Sequence, residues 1–204
     1  MKFKIKMTPR NKSIQLTLIA LVALCAVPAA NSTTIVRMSV AQMTQAAHLI
    51  VRARCLSNST SWDAGEIWTF TSFAVEETWK GARSANADPY FSVRLLGGTA
   101  GNLTSNVSGI PRFVPGEEVV LFLEPTSRGD FSIVSWVQGT FRVRRDIRTS
   151  QEIVIQDTAS FDTFEPATRK FRSAGLRNIS IEDLHSLVSA ARSASPAARL
   201  QGTK

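Results

Sequence analysis

Glu66–Lys80 reads EIWTFTSFAVEETWK, and its pattern decides the fold. Ile67, Thr69, Thr71, Phe73 and Val75 alternate with Trp68 and Phe70, the two-residue period of a strand rich in β-branched and aromatic residues. Such a long strand predicts a bend or bulge, as barrels require. Upstream, Asn58–Gly65 (NSTSWDAG) reads as a turn cluster. Leu49–Leu56 (LIVRARCL) reads as a strand with Arg52 and Arg54 on one face. Downstream, Gly81–Asp88 is a polar connection and Tyr90–Leu96 a third strand. Gly97–Pro111 (GGTAGNLTSNVSGIP) is a long loop of small residues. Pro115-Gly116 sits at the centre of an expected type II turn. Val119–Leu123 (VVLFL) is continuously apolar, the mark of a strand buried on both faces. Phe131–Arg145 is expected to be one long strand with a bulge at Gly139, and Glu152–Gln156 a short edge strand.

Two helices flank these strands. Ser39-Val40-Ala41-Gln42 has the form of a capping box, with Met38 and Met43 at the staple positions, and predicts a short helix over Val40–His48. Ser180-Ile181-Glu182-Asp183 opens a second one. Ile181, Leu184, Leu187, Val188 and Ala191 form its apolar stripe, so residues 181–193 are expected to be an amphipathic helix. Thr158–Asn178 is polar and reads as mostly irregular, and Ser193–Lys204 as a disordered tail. Strands of uneven length, several of them bent, fit a small barrel better than a flat sandwich.

The N-terminus bounds the function. Met1–Ser13 carries five cations and no acid, Ile14–Val27 is an apolar run of 14, and Val27-Pro28-Ala29 supplies small residues. This is the pattern of a secretory signal peptide, residues 1–29, cleaved after Ala29. The run is short for a membrane span, so an exported protein, periplasmic or extracellular, with no transmembrane anchor after processing is expected. Of the 24 Lys and Arg, five leave with the signal. The remaining 19 face 16 Asp and Glu, so the net charge falls from +8 to +3. The argument for a nucleic-acid partner falls with it. Cys25 also leaves, and Cys55 alone cannot form an internal disulfide.

Motifs for catalysis are lacking. His48 and His185 have no second ligand at metal-binding spacing, and neither His-Glu-x-x-His nor Cys-x-x-Cys occurs. No serine stands in Gly-x-Ser-x-Gly, and Gly97–Gly101 lacks the Gly-Lys-Ser/Thr ending of a phosphate loop. Cys55 shares a strand face with Leu49, Val51 and Ala53 and reads as a buried thiol. Arg128-Gly129-Asp130 reads as a hairpin turn. No catalytic residue, cofactor or metal is expected. Two features suit binding instead. Arg52, Arg54, Arg142 and Arg144 make cationic stripes on alternate strand positions, which with Trp68 or Trp136 would suit an anionic polymer; at a charge of +3 a solvated or ion-paired face is preferred. The Gly97–Phe113 loop has the Gly, Asn and Ser content of a mobile connection or of an adaptable contact surface.

The order of elements resembles a group of small exported bacterial proteins. The resemblance is carried by Ala46–Arg54 (AAHLIVRAR), Val75–Gly81 (VEETWKG), Gly97-Gly98, Ser108–Leu123 (SGIPRFVPGEEVVLFL) and Gln138-Gly139-x-Phe141, and covers about residues 38–145. It implies an OB-like barrel akin to netrin-like and metalloproteinase-inhibitor domains, and an association of some members with matrixin-type secreted peptidases. Tissue inhibitors of metalloproteinases chelate zinc through an N-terminal cysteine. The expected mature start, Ala30-Asn31-Ser32, has none, so that chemistry does not carry over. Residues 30–157 are thus expected to form an OB-like β-barrel of about five strands with a short leading helix, followed over 158–204 by an irregular segment, an amphipathic helix and a tail. The expected function is a non-enzymatic binding or accessory module contacting another protein, a secreted peptidase being the concrete suggestion. Its candidate contacts are Gly97, Gly98, Asn106, Ser108, Pro111, Arg112 and Phe113. The alternative is a binder of polysaccharide or another anionic polymer, through Arg52, Arg54, Arg142 and Arg144 with Trp62 and Trp68. An enzyme of unknown class stands third.

Overall fold

The computed structural model describes residues 35–81, 88–158, 162–173 and 175–194. The expected signal peptide with its Ala29 cleavage site, and the expected tail from 195 on, lie outside them. From the N-terminus the described chain forms β1 (Ile35–Val36), α1 (Val40–Ala46), β2 (Leu49–Asp63), β3 (Glu66–Lys80), β4 (Tyr90–Leu96), β5 (Gly98–Ala100) and β6 (Leu103–Ser105). It continues through β7 (Glu118–Pro125), β8 (Phe131–Ile133), β9 (Thr140–Arg145), β10 (Glu152–Gln156), β11 (Asp162–Glu165), β12 (Lys170–Ser173), β13 (Arg177–Ser180) and α2 (Ile181–Ser193). The protein is mostly β. One large sheet has the order β13-β10-β9-β7-β2-β3-β4-β8, and β8 also pairs with β7. Hydrogen bonding therefore runs from β7 through β2, β3, β4 and β8 back to β7. The last link is slight, with Val93↔Phe131 joining β8 to β4 and three residue pairs joining it to β7.

β7 organises both sides of this sheet. Residues Val119 to Leu123 are all fully buried, as a continuous apolar run requires when both faces are covered. Val119, Leu121 and Leu123 join Leu49, Val51, Ala53, Cys55, Phe73, Val93, Phe113 and Ile133 in one core. Val120 and Phe122 point the other way, into a second core with Ile50, Trp79, Phe141 and the helix residues Met43, Leu184 and Val188. The strand alternation thus serves two cores at once.

The helices begin where their caps dictate. Ser39 Oγ accepts from the Gln42 N–H and the Gln42 side chain accepts from the Ser39 N–H, a complete capping box. Ser180 Oγ accepts from the Asp183 N–H at the start of α2. At the other end of α1 the Lys80 ammonium donates to the carbonyls of Thr44 (2.6 Å) and Ala47 (2.5 Å), satisfying acceptors that a helix end leaves free.

Four expectations are corrected. Asn58–Asp63 is not a turn but the outer half of β2. Its polar residues stay extended because each pairs with β3, and only Ala64-Gly65 turns, both with positive φ as a two-residue hairpin demands. The bulge expected in Glu66–Lys80 is present: in the pairing of β2 with β3 the extra residue is Glu76 and again Trp79 on β3, and Leu56 on β2. Phe131–Arg145 is not one strand. Ser135 and Trp136 adopt left-handed conformations and a 3₁₀ turn spans Trp136–Gly139. The buried Gln138 side chain causes this break: it donates to Val36 O and Ser135 Oγ and accepts from the Met38 N–H, tying in the segment before α1. Glu152–Gln156 is an inner strand, flanked by β9 and β13. The 158–178 segment holds β11 and β12, which form a small sheet with β1, and the start of β13.

Candidate functional site

The Gly97–Phe113 segment lies against the outer half of the β2–β3 pair. The Gly97 N–H donates to Ile67 O at 2.6 Å, and Thr69 Oγ1 donates to Gly97 O at 2.7 Å. At Gly98, with φ +138°, a Cβ would stand 2.4 Å from Thr69 Oγ1 and 2.8 Å from Thr60 Cγ2. Only glycine permits that approach. From there the chain makes the β5–β6 hairpin and returns through residues that plug the core. Arg112 donates to Thr69 Oγ1 (3.2 Å) and Ser105 O (3.3 Å). Phe113 is buried edge-on against Phe73, centroids 5.0 Å apart. Its carbonyl accepts from Asn58 Nδ2 (2.9 Å), and Asn58 Oδ1 accepts from Thr71 Oγ1 (2.6 Å).

The candidate contacts therefore divide. Gly97, Gly98, Pro111, Arg112 and Phe113 are partly or fully buried and hold the segment in place, whereas Asn106 and Ser108 are exposed. Residues outside that set join the exposed surface: Leu103 at the hairpin and Trp62 on β2, each 52% exposed. Trp62 pairs with Ile67 and shares the face of Thr60, Thr69 and Thr71. The alternation Asn58-Thr60-Trp62 carried that signal once the stretch is read as strand. Gly98→Val is expected to cost about 2 kcal/mol through strain at a glycine-only conformation and to open the β5–β6 hairpin to limited proteolysis. Unchanged melting and cleavage would show that the segment is not anchored there.

The four stripe arginines are all paired with carboxylates. Arg52 pairs with Glu118 and meets Glu152 at 3.0 Å, Glu76 at 3.6 Å and Glu77 at 3.7 Å. Arg54 meets Glu76 at 2.7 Å and Glu118 at 3.2 Å. Arg142 meets Glu117 at 2.6 Å and Asp157 at 2.7 Å, and Arg144 meets Glu117 at 3.0 Å. Six carboxylates surround four guanidiniums, so this network carries a formal excess of negative charge. Burial alone would raise the Glu117 carboxyl, but hydrogen bonds and charge from Arg142 and Arg144, with the Val114 N–H, hold it below its ordinary value. Desolvation opposes the charge on Arg142, and its bonds to Asp157 and Glu117 outweigh that and raise it.

No family model matches this chain, and no curated protein matches it. Cys55 is buried, and desolvation followed by the Glu117 charge pushes its thiol above the ordinary value, away from the thiolate a nucleophile needs. His185 packs edge-on against Trp79 with centroids 4.9 Å apart. Among the described residues no group of three or more His, Cys, Asp or Glu side chains is placed to hold a metal ion. None of their helices is long and apolar enough to cross a membrane. Among the exposed large apolar side chains, Trp62 and Leu103 stand on the strand and hairpin that the Gly97–Phe113 segment anchors.

Proposed function

We propose that this chain is an exported binding module, without catalytic chemistry of its own, that contacts another protein through Trp62 and the β5–β6 hairpin. The observation that carries the reading is the half-exposure of Trp62 and Leu103 on a base anchored by Thr69, Arg112 and Phe113. Large apolar side chains held rigidly in water act as binding anchors, because ordering them costs little on association. The exposed Asn106 and Ser108 supply polar contacts beside them. A secreted peptidase as partner follows from the resemblance over residues 38–145. The same reading takes the five strands β2, β3, β4, β8 and β7 as an OB-like barrel; the return pairing of β8 onto β7 supports it. Export to the periplasm or the extracellular space rests on the N-terminal sequence. An anion-binding role for Arg52, Arg54, Arg142 and Arg144 is disfavoured by their carboxylate partners.

The test is capture from the exported-protein fraction of the source cells by residues 30–204, native against a Trp62→Ser, Leu103→Ser double variant. The variant is expected to keep the native melting temperature and to lose the captured partner by at least about tenfold, the effect of one lost anchor. Recovery of the same proteins in the same amounts would remove this surface from the proposal.

A further inference from the structure

Asp63, the last residue of β2, accepts from two arginines on one oxygen. Arg94 Nη2 bonds Oδ2, and Arg128 Nη1 reaches the same atom at 2.5 Å. Hydrogen bonds from Arg94 and then Arg128 hold the Asp63 carboxyl below its ordinary value. Among the described residues no other carboxylate pairs with either arginine. Here two guanidiniums share one carboxylate, whereas in the stripe network the carboxylates outnumber the guanidiniums. Arg94 is fixed in place, its guanidinium lying 4.1 Å over the Trp68 ring, whereas the Arg128 side chain is 58% exposed.

This cluster borders a depression of about 310 Å³ lined by Trp68, Arg94, Thr126, Ser127, Arg128 and Ser132. The lining holds two cations, three hydroxyls and an indole, and no carboxylate. Thr126 Oγ1 is engaged with Asp130 and with the Arg128 N–H; Asp130 itself lines the neighbouring depression. The Ser127 and Ser132 hydroxyls bond no protein group among the described residues. The volume lies at the small end of ligand pockets and exceeds what one carboxylate side chain fills. Free hydroxyls beside a fixed cation complement a polyol that carries an acid.

We propose that this depression binds an acidic sugar unit, a pyranose bearing a carboxylate or sulfate. The anion seats on Arg94 and Arg128, and ring hydroxyls exchange hydrogen bonds with Ser127 and Ser132. The site is independent of the protein-contact reading, because Trp68 and Arg94 lie on the face of the β2–β3–β4 sheet opposite Trp62.

The test is calorimetric titration of residues 30–204 with tetragalacturonate, a sulfated tetrasaccharide, maltotetraose and tetraglutamate, with the Trp68 indole N–H followed by NMR. One or both acidic sugars are expected to bind and shift that signal, with maltotetraose and tetraglutamate at least about tenfold weaker. Arg128→Ala removes one of the two cations and is expected to weaken binding about tenfold. Asp63→Asn removes the carboxylate that they share and is expected to tighten binding, and added salt is expected to weaken it. The opposite signs separate an electrostatic site from a variant that merely unfolds. No binding of either acidic sugar, equal binding of tetraglutamate or maltotetraose, or affinities unmoved by both variants would each overturn the proposal.

Discussion

Phe122→Ala will lower the unfolding free energy by about 4 kcal/mol, the middle of the range for emptying a phenylalanine site in a packed core. Phe122 is fully buried at the centre of the inner face that β7 turns toward the helices. Its ring lies 5.5 Å from that of Phe141, and Met43 of α1 and Leu184 and Val188 of α2 belong to the same cluster. Truncation opens a void in a cluster that the sheet shares with both helices, and a β-sheet backed by helices does not readily collapse onto it. Against a typical domain stability of about 5–15 kcal/mol, such a loss places the variant near the edge of folding. Urea denaturation of native and variant protein measures it. A loss under about 1.5 kcal/mol, the scale of a single methylene change, would mean that the helices do not close this face.

Arg142→Met will cost about 3 kcal/mol at neutral pH, the low end for breaking an ion pair of limited exposure. The Arg142 and Glu117 side chains are only 19% and 8% exposed, so the carboxylate left behind is poorly solvated. Arg142 also donates to the Arg112 carbonyl at 2.9 Å, so the substitution loosens the plug beneath the β5–β6 hairpin. The pH dependence has a defined sign. Glu117 titrates below its ordinary value in the folded chain. Its contribution is therefore present above the unfolded carboxylate pKa of about 4.3 and is lost as pH falls through the lower folded value. Native protein is expected to lose stability over that acid window, and Arg142→Met to show a flatter acid limb. An equally steep limb in the variant would assign the acid sensitivity to other carboxylates.

Where one local pattern dominated, it was legible in the sequence. The alternation of Glu66–Lys80 and of Tyr90–Leu96, the apolar run at Val119–Leu123 and the two serine caps correspond to β3, β4, β7, α1 and α2. What the sequence concealed depended on partners far along the chain. Asn58–Asp63 looks like loop by composition and is strand because β3 lies beside it. Gln138 looks like an ordinary strand residue, and it breaks the strand because it reaches Val36 and Met38. The candidate site divided for the same reason. Gly97, Gly98, Pro111, Arg112 and Phe113 look like flexible loop, but Thr60, Thr69, Ser105 and Phe73 surround them. The stripe arginines were visible as an alternation, whereas the six carboxylates that neutralise them come from β3, β7, β10 and the turns flanking β7 and β10.

β7 has one more consequence. With Cys55 free, no covalent tie joins the two cores among the described residues, yet the odd residues of β7 belong to one core and the even residues to the other. Losing either set of side chains strips the shared backbone of half its cover, so the two cores are expected to melt in one transition, which amide hydrogen exchange on either side of β7 would check. The strand thus acts as a mechanical linchpin. Damage at the helices is therefore expected to be felt at the far side of the sheet.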